Sequence, residues 1–205
     1  LDSYGRYLDS DNDGICYRTY PGTHPEKGAY FTRGTSHDEY ARYTEDGNIN
    51  AETLMRLMRK FRTASELVPP PIIEINGEDS CGIIYYGSSK PAVLEAKDIL
   101  KTKDINVDLM QIRSFPFNLD VWEFIASHDR IYVVEQNRDS QMRTLIMAEG
   151  GISAEILRPL VHFTGDPIEA SYIVNKISER EVNYKSHKNI NCLLYTSPSP
   201  RDKHR

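Results

Sequence analysis

GIIYYGSSKPAVLEAKDILK, residues 82–101, runs from a short apolar segment through a glycine and two serines into an amphipathic segment. Ser89 stands where an N-cap residue belongs, and Pro91 falls in the first turn of the helix that follows. A strand that leads directly into a helix is one βα unit. The stretch therefore predicts an α/β domain, with a strand over 82–87 and a helix that ends near residue 101.

The same alternation continues along the chain. Further strands are predicted over 107–112, 130–136 and 160–165, and further helices over 119–128, 141–149 and 167–180. Runs that are apolar throughout, such as IYVV at 131–134, are typical of parallel strands that are covered on both faces. Right-handed crossovers then favour a small doubly wound, mostly parallel sheet, with residues 72–75 as an edge strand.

The region before this domain has a different pattern. Asn50 is a predicted N-cap, and apolar residues at 54, 57, 58 and 61 predict an amphipathic helix over 51–65, with a basic face that we expect to be solvated. The prolines at 69–71 then stiffen a linker. Residues 15–47 are aromatic and charged without periodicity, so we expect this connector to pack on something outside itself.

Composition limits the possible classes of protein. With 39% hydrophobic and 27% charged residues, the 205-residue chain has the composition of an ordinary globular protein. No apolar run could span a bilayer, and a net charge of −5 argues against a nucleic-acid surface. The three cysteines are far apart, which argues against a disulfide scaffold or a zinc site and favours the cytoplasm.

The far C-terminal segment has an unusual origin. CLLYTSPSPRD, residues 192–202, is one reading frame of a common transposase adapter used in DNA library preparation. We therefore interpret residues 192–205 as an artefact tail and exclude Cys192 from any site. The chain also begins with Leu, so we expect it to be an internal piece of a longer protein.

Two polar motifs lie in the connector region. DSDNDG, residues 9–14, matches the first half of a calcium loop, but Tyr20 stands where the bidentate acid should be, so we predict an acidic turn and no metal site. His37, Asp38 and Glu39 could serve as acid, base or ligands. Their consecutive spacing favours a structural network of hydrogen bonds instead.

Polar residues also follow two predicted strands of the α/β domain. Ser88 and Ser89 lie at a strand-to-helix turn, where capping is the simpler interpretation and contact with a phosphate is the alternative. Five polar residues follow the strand that ends near 136: Glu135, Gln136, Asn137, Arg138 and Gln141. Carboxyl ends of strands face the ligand crevice in open α/β sheets, so a capped turn with an interface and a ligand site are both possible.

Four stretches, in their order, resemble the alpha subunit of 2-oxoacid:ferredoxin oxidoreductases, particularly the 2-oxoglutarate type. They are residues 7–47, the linker helix, YYGSSKPAVLEA at 85–96 and VVEQNRDSQMRTL at 133–145. Gly34 and residues 37–39 match the family element T-G-x-x-H-D-E, although Thr35 and Ser36 depart from the commoner spacing. Glu135, Asn137 and Gln141 match E-x-N-x-x-G-Q, but Ser140 replaces its glycine, which leaves the turn geometry open because glycine adopts positive φ more easily.

The resemblance implies a domain organisation. Residues 1–71 would be the connector and linker helix that follow a missing pyrimidine-binding domain. Residues 72–191 would be a domain similar to the C-terminal domain of transketolase. The family's Y-P-I-T-P segment beside the active site would lie before residue 1, so no catalytic residue can be assigned to this chain.

The resemblance also implies a chemistry. It is thiamine-diphosphate-dependent oxidative decarboxylation of a 2-oxoacid, with the acyl group passed to coenzyme A and the electrons to ferredoxin. Thiamine diphosphate, magnesium and an iron-sulfur cluster would be held by the partner beta subunit. This chain would be a scaffold with the structural or interface candidates His37, Asp38, Glu39, Ser88, Ser89, Glu135, Asn137, Arg138 and Gln141. The alternative is a stand-alone α/β module that binds a phosphate-bearing ligand.

Overall fold

A computed structural model describes residues 4–26, 28–29, 36–77 and 81–196, without the side chains of residues 183 and 185–196. The chain divides into two compact units. The first comprises Leu1–Pro69 with Ser114–Leu119, and the second comprises Pro70–Arg113 with Asp120–Arg205. The second unit begins within the run of prolines at 69–71.

Helix α1, Gly47–Leu67, is the main element of the first unit. It begins four residues before the predicted start, and the prediction of Asn50 as N-cap was wrong. Asp46 is the N-cap instead, and its carboxylate accepts a hydrogen bond of 2.8 Å from the backbone N–H of Asn48. The helix ends before Pro69 because Val68 is already extended, as residues near a following proline usually are.

The second unit alternates strands and helices as predicted. After strand β1, Ile72–Glu74, the order is β2, Cys81–Tyr85; a 3₁₀ turn, Gly87–Ser89; α2, Lys90–Lys101; β3, Val107–Gln111; α3, Leu119–Ala126; β4, Ile131–Glu135; α4, Gln141–Gly150; β5, Leu157–Val161; and α5, Ala170–Thr196. None of these helices, among the described residues, has both the length and the apolar character that crossing a bilayer requires.

The five strands form one sheet in the order β1-β3-β2-β4-β5. Strands β2, β3, β4 and β5 are parallel, and β1 is antiparallel to β3, with Ile73 opposite Met110. The prediction of a mostly parallel α/β sheet with an added edge strand is confirmed. Backbone groups of these strands are paired across the sheet, which leaves the chemistry to the loops at its ends.

Helices cover both faces of the sheet. On one face, apolar side chains of α2 and α5 pack with alternate residues of the strands, including Ile83 and Tyr132. On the other face, Gly82 lies under α3, where an added Cβ would come within 3.0 Å of Ile131 Cγ1 and 3.1 Å of the Phe124 ring. Glycine at this position is therefore favoured by the close approach of these side chains and not by its backbone angles.

Strand β5 and helix α5 differ from the prediction. The strand lies at 157–161 and not at 160–165, and it contains Pro159, which the sheet tolerates because β5 is an edge strand. Helix α5 continues past residue 180, since residues 181–196 contain neither glycine nor proline. Residues 197–205, the end of the predicted artefact tail, lie outside the described residues.

A buried ionic network attaches α5 to the sheet. The Glu181 carboxylate accepts hydrogen bonds of 2.8 Å from Arg130 Nε and 2.8 Å from the Tyr132 hydroxyl, and the Arg130 and Glu181 side chains are 3% and 2% exposed. Burial alone would lower the pKa of the Arg130 guanidinium, but the hydrogen bond and the charge of Glu181 outweigh it and raise that pKa. Burial, followed by Glu181, raises the pKa of Tyr132. Both carboxylate oxygens of Glu181 therefore have hydrogen-bond partners in the folded chain.

Candidate functional site

The candidate site lies at the carboxyl ends of β2 and β4, which are neighbours in the sheet. Strand β2 leads into α2 on one face of the sheet. Strand β4 leads into α4, whose last residue, Gly150, lies against Trp122 of α3 on the opposite face. Adjacent strands that send their helices to opposite faces define a topological switch point, where open α/β sheets usually form a ligand crevice.

Gln136 joins three loops at this switch point. Its Nε2 donates to Ser88 Oγ at 3.0 Å and to Ser89 Oγ at 3.2 Å, and its Oε1 accepts from the backbone N–H of Ile168 at 3.3 Å. Both donors and the carbonyl oxygen of this amide are thus engaged within the protein. Ser89 occupies the N-cap position of α2, as predicted, but its side chain makes no capping hydrogen bond. Its hydroxyl accepts from Gln136 instead.

Asn137 and Glu135 form a second set of internal contacts. Asn137 Nδ2 donates to Glu135 Oε2 at 2.8 Å and to the Tyr86 hydroxyl at 3.4 Å, and Asn137 Oδ1 accepts from the backbone N–H groups of Asp139 and Gln141. Glu135 is fully buried. Its carboxylate also accepts from the N–H groups that begin α4, at 2.7 Å from Met142 and 3.0 Å from Arg143. The Glu135 carboxylate thus accepts from the free N–H groups at the N-terminus of α4, where the helix dipole favours negative charge.

Ser140 occupies the turn position where the family pattern has glycine. Its φ of 51° and ψ of 51° are left-handed, and its side chain makes no capping hydrogen bond. The sequence left the geometry of this turn open, and the structure shows that it is left-handed, as a glycine would allow. A serine in this conformation is less favourable than a glycine.

Three further groups complete the site. Arg138 is 74% exposed in its side chain and pairs with its neighbour Asp139 at 2.7 Å, a surface ion pair of little energetic value. Gln141 contributes its backbone N–H to Asn137. Burial, followed by the charge of Glu135, raises the pKa of Tyr86, so its phenol stays protonated at neutral pH.

These contacts define what the switch point can do chemically. A general base must reach its substrate, but the Glu135 carboxylate is buried and already accepts three N–H groups. The side-chain amides of Gln136 and Asn137 could donate to a phosphate, but both are engaged by protein atoms. The arrangement is therefore suited to holding the loops at this end of the sheet in one geometry.

The motif at residues 37–39 lies in the first unit and is held by local contacts. The His37 ring stacks on Tyr7 with centroids 3.8 Å apart, and Asp38 Oδ1 accepts from the backbone N–H groups of Tyr40 and Arg42 at 2.9 and 2.8 Å. The Glu39 carbonyl accepts from the N–H of Tyr7. Gly34, which belongs to the same family element, lies outside the described residues.

The acidic turn joins the connector to α1. The carboxylates of Asp9, Asp11 and Asp13 lie within 4.8 Å of one another, but Asp9 accepts from Arg59 Nη2 at 2.8 Å and from the N–H of Gly14 at 2.9 Å. Burial alone would raise the pKa of Asp9, but the hydrogen bonds from Arg59 and Gly14 outweigh it and lower that pKa. The guanidinium of Arg59 thus supplies a positive charge to the acidic turn.

Sequence reasoning missed the partners of these residues. Tyr86 and Ile168 contact the polar cluster although they are about 50 and 30 positions away from it in the chain. The prediction that the basic face of α1 is solvated was also wrong for Arg56 and Arg59, which bind Gly14 O and Asp9. A residue pattern shows which side chains are polar, but only the fold shows which of them meet.

Comparison with known proteins identifies the relatives of this chain. The sequence matches no family model. It is 28% identical over 185 residues to 2-oxoacid:ferredoxin oxidoreductase 2, subunit alpha, of Aeropyrum pernix. The matched region covers 86% of this chain and 28% of that protein. The chain is similar to the alpha subunits of 2-oxoacid:ferredoxin oxidoreductases. This confirms the resemblance predicted from the sequence.

A second alpha subunit and a solved structure agree with this similarity. The alpha subunit of Saccharolobus solfataricus is 28% identical over 124 residues, 58% of this chain and 20% of that protein. The structure of 2-oxoglutarate:ferredoxin oxidoreductase from Magnetococcus marinus, with 2-oxoglutarate, coenzyme A and succinyl-CoA bound, has a TM-score of 0.73 at 23% identity. It covers 86% of this chain and 30% of that chain, and it supports the fold. The chain therefore spans less than a third of the length of each of these relatives.

Proposed function

We propose that this chain is part of the alpha subunit of a thiamine-diphosphate-dependent 2-oxoacid:ferredoxin oxidoreductase. The reaction is oxidative decarboxylation of a 2-oxoacid to an acyl-CoA, with electrons passed to ferredoxin. The observation that carries the proposal is the 28% identity over 185 residues to the Aeropyrum pernix alpha subunit. We propose 2-oxoglutarate as the substrate because the sequence pattern is nearest to that type and because a structural neighbour was solved with it bound.

The cofactors belong to other parts of this proposed enzyme. Thiamine diphosphate supplies the carbanion stabilisation when it is bound, and we assign it, with magnesium and the iron-sulfur cluster, to the beta subunit. The residues of this chain fit that assignment: three cysteines are fewer than the four thiolates that such a cluster usually needs. Asp9 of the acidic turn is already paired with Arg59. Coenzyme A enters as a substrate of the whole enzyme.

The role that we propose for this chain is scaffold and subunit interface. The polar groups at the switch point bind one another, which suits a unit that holds its loops in fixed positions for neighbouring parts of an enzyme. The connector carries exposed aromatic residues, including Tyr17 at 56% and Tyr20 at 59%. We assign its packing partner to the pyrimidine-binding domain of the same subunit. The beta subunit and ferredoxin are the proposed partners, and the cytoplasm is the proposed location.

The alternative, a stand-alone module for a phosphate-bearing ligand, has less support. It depends on free donors at residues 87–90 and 135–141. Gln136 and Asn137 donate to protein atoms there, so a phosphate would have to displace existing hydrogen bonds. Titration calorimetry of the chain with coenzyme A and with inorganic phosphate tests this alternative, and we expect no heat of binding from either.

The experiment that tests the proposed function uses the whole complex. The complete reading frame that contains residues 1–191 would be expressed with the adjacent gene for the proposed beta subunit. We expect reduction of ferredoxin that requires coenzyme A and a 2-oxoacid and is fastest with 2-oxoglutarate. The 205-residue chain alone should be inactive. An assembled, cofactor-loaded complex that reduces ferredoxin with none of the 2-oxoacids would refute the proposal.

A further inference from the structure

Helix α1 presents its apolar side to solvent. Leu54 is 54% exposed, Met58 is 59% and Phe61 is 55%, and no residue of the 21-residue helix is buried. Together with Leu57, at 37%, these residues recur at i, i+3, i+4 and i+7 and share one side of the helix. We call this surface the α1 apolar face.

The polar side of α1 is the side that packs within the first unit. Arg59 binds Asp9, Arg56 donates to Gly14 O at 2.9 Å, and the Thr63 hydroxyl donates to the carbonyl of Asp13. Gly14 approaches the helix backbone at Lys60 so closely that a Cβ could not be accommodated. An amphipathic helix normally buries its apolar side, so α1 has the opposite orientation in its own unit. On the apolar side, Phe61 makes an edge-to-face contact with Phe115 of the same unit, with ring centroids 6.4 Å apart. Phe61 is still 55% exposed, so most of the apolar side needs a partner outside that unit.

The size of the face limits the kind of partner. Four side chains that are about half exposed, each with an area of roughly 200 Å², offer on the order of 400 Å². A stable complex between separate proteins buries about 800 Å² on each partner. A surface of half that size suits a segment that is tethered to the same polypeptide, because tethering raises its effective concentration.

We propose that the α1 apolar face is the docking surface for another segment of the same alpha subunit, which lies in the part of the subunit that this chain does not span. The inference rests on the proposed function, since this chain covers 28% of the length of the Aeropyrum pernix relative. The occupant is a surface with an apolar centre. It carries an acidic group at the edge that meets Arg62, an exposed cation next to Phe61.

Thiol labelling compares the 205-residue chain with the full-length alpha subunit. Met58→Cys places a thiol on the α1 apolar face, and Asp98→Cys places a control thiol on α2, at a side chain that is 80% exposed. Cys16 is replaced by Ser in both variants, as is Cys192 in the 205-residue chain, and circular dichroism verifies folding. Maleimide should modify both thiols at similar rates in the 205-residue chain. In the full-length subunit it should modify the thiol at position 58 at least about tenfold more slowly, with the control unchanged.

Two results would overturn the inference. One is equal labelling of the two thiols in the full-length subunit, which would leave the face open to solvent. The other is protection of position 58 in the 205-residue chain that increases with protein concentration, which would make a second copy the occupant. The outcome is independent of the ferredoxin-reduction assay: a protected face without activity would sink the proposed function alone, and activity with an open face would sink this inference alone.

Discussion

Replacing Glu135 by Gln tests whether the carboxylate at the switch point supports the fold as its contacts indicate. The substitution preserves the shape of the side chain and exchanges one oxygen for an NH₂ group. Oε2 accepts from Met142 N and Asn137 Nδ2, and Oε1 accepts from Arg143 N. Whichever oxygen is replaced, at least one N–H donor then faces another donor inside the protein.

The magnitude follows from these three contacts. A hydrogen bond to a charged group contributes about 1.5–3 kcal/mol and a neutral one about 0.5–1.5 kcal/mol, so losing one bond and neutralising two costs about 3.5–6 kcal/mol. For a chain of this size, 1 kcal/mol shifts the melting temperature by about 2–4 °C. We therefore expect Glu135→Gln to lower the melting temperature of the second unit by about 10–15 °C.

The single tryptophan provides the assay, because Trp122 of α3 belongs to the second unit. Its fluorescence during urea unfolding yields the free energy of unfolding of that unit, measured for the wild-type chain and for the variant. Glu149→Gln removes the same charge from an exposed position on α4 and should change that free energy by less than about 0.5 kcal/mol. A loss below about 1 kcal/mol in Glu135→Gln would refute the reasoning.

Three further predictions concern buried or paired groups. Glu181→Ala removes the buried acceptor of Arg130 Nε and of the Tyr132 hydroxyl and leaves Arg130 with the exposed Asp129, so urea unfolding should show a loss of about 3–5 kcal/mol, against almost none for the exposed control Glu179→Ala. Burial raises the pKa of the Cys81 thiol to about 12, so Ellman's reagent at pH 8 should modify the partly exposed Cys16 first and Cys81 only on unfolding. The folded pKa of Asp9 is below its ordinary value of 3.8. The Asp9 carboxylate therefore stabilises the folded chain above that pH, and this stabilisation is lost as the pH falls through the folded pKa. Asp9→Asn should therefore reduce the loss of helical circular dichroism below pH 4, and an unchanged acid transition would contradict this reading.

The fold could be predicted because its signals are local. Apolar strands that precede helices with N-terminal serine or proline define the βα units, and the parallel order follows from right-handed crossovers. The wrong N-cap of α1 was a local error, whereas the error at β5 occurred where a non-local fact decides the outcome. Pro159 within β5 is tolerated only because β5 lies at the sheet edge, and the number of strands beyond it cannot be read from the residues around it.

The candidate site was predicted in composition but not in function. The sequence indicates a polar cluster after β4, and the fold brings Ser88 and Ser89 to it from the end of β2. Whether such a cluster binds a ligand depends on how many of its donors are already used. That number is a property of the assembled loops, since Gln136 binds residues 47 and 32 positions away.

The two units differ in which of their groups are satisfied internally. At the switch point, the amides of Gln136 and Asn137 and the carboxylate of Glu135 are engaged, so the polar region that would ordinarily receive a ligand has few groups to offer. On α1, the apolar side is mostly exposed, apart from the contact of Phe61 with Phe115, and apolar surface in contact with water is unfavourable. In this chain the polar groups at the switch point are engaged by protein atoms, and the apolar side chains of α1 are exposed. Such a chain is better suited to assembly with another protein surface than to binding a small ligand. Substitutions on the α1 apolar face should therefore weaken the assembled enzyme more than they weaken the fold of this chain.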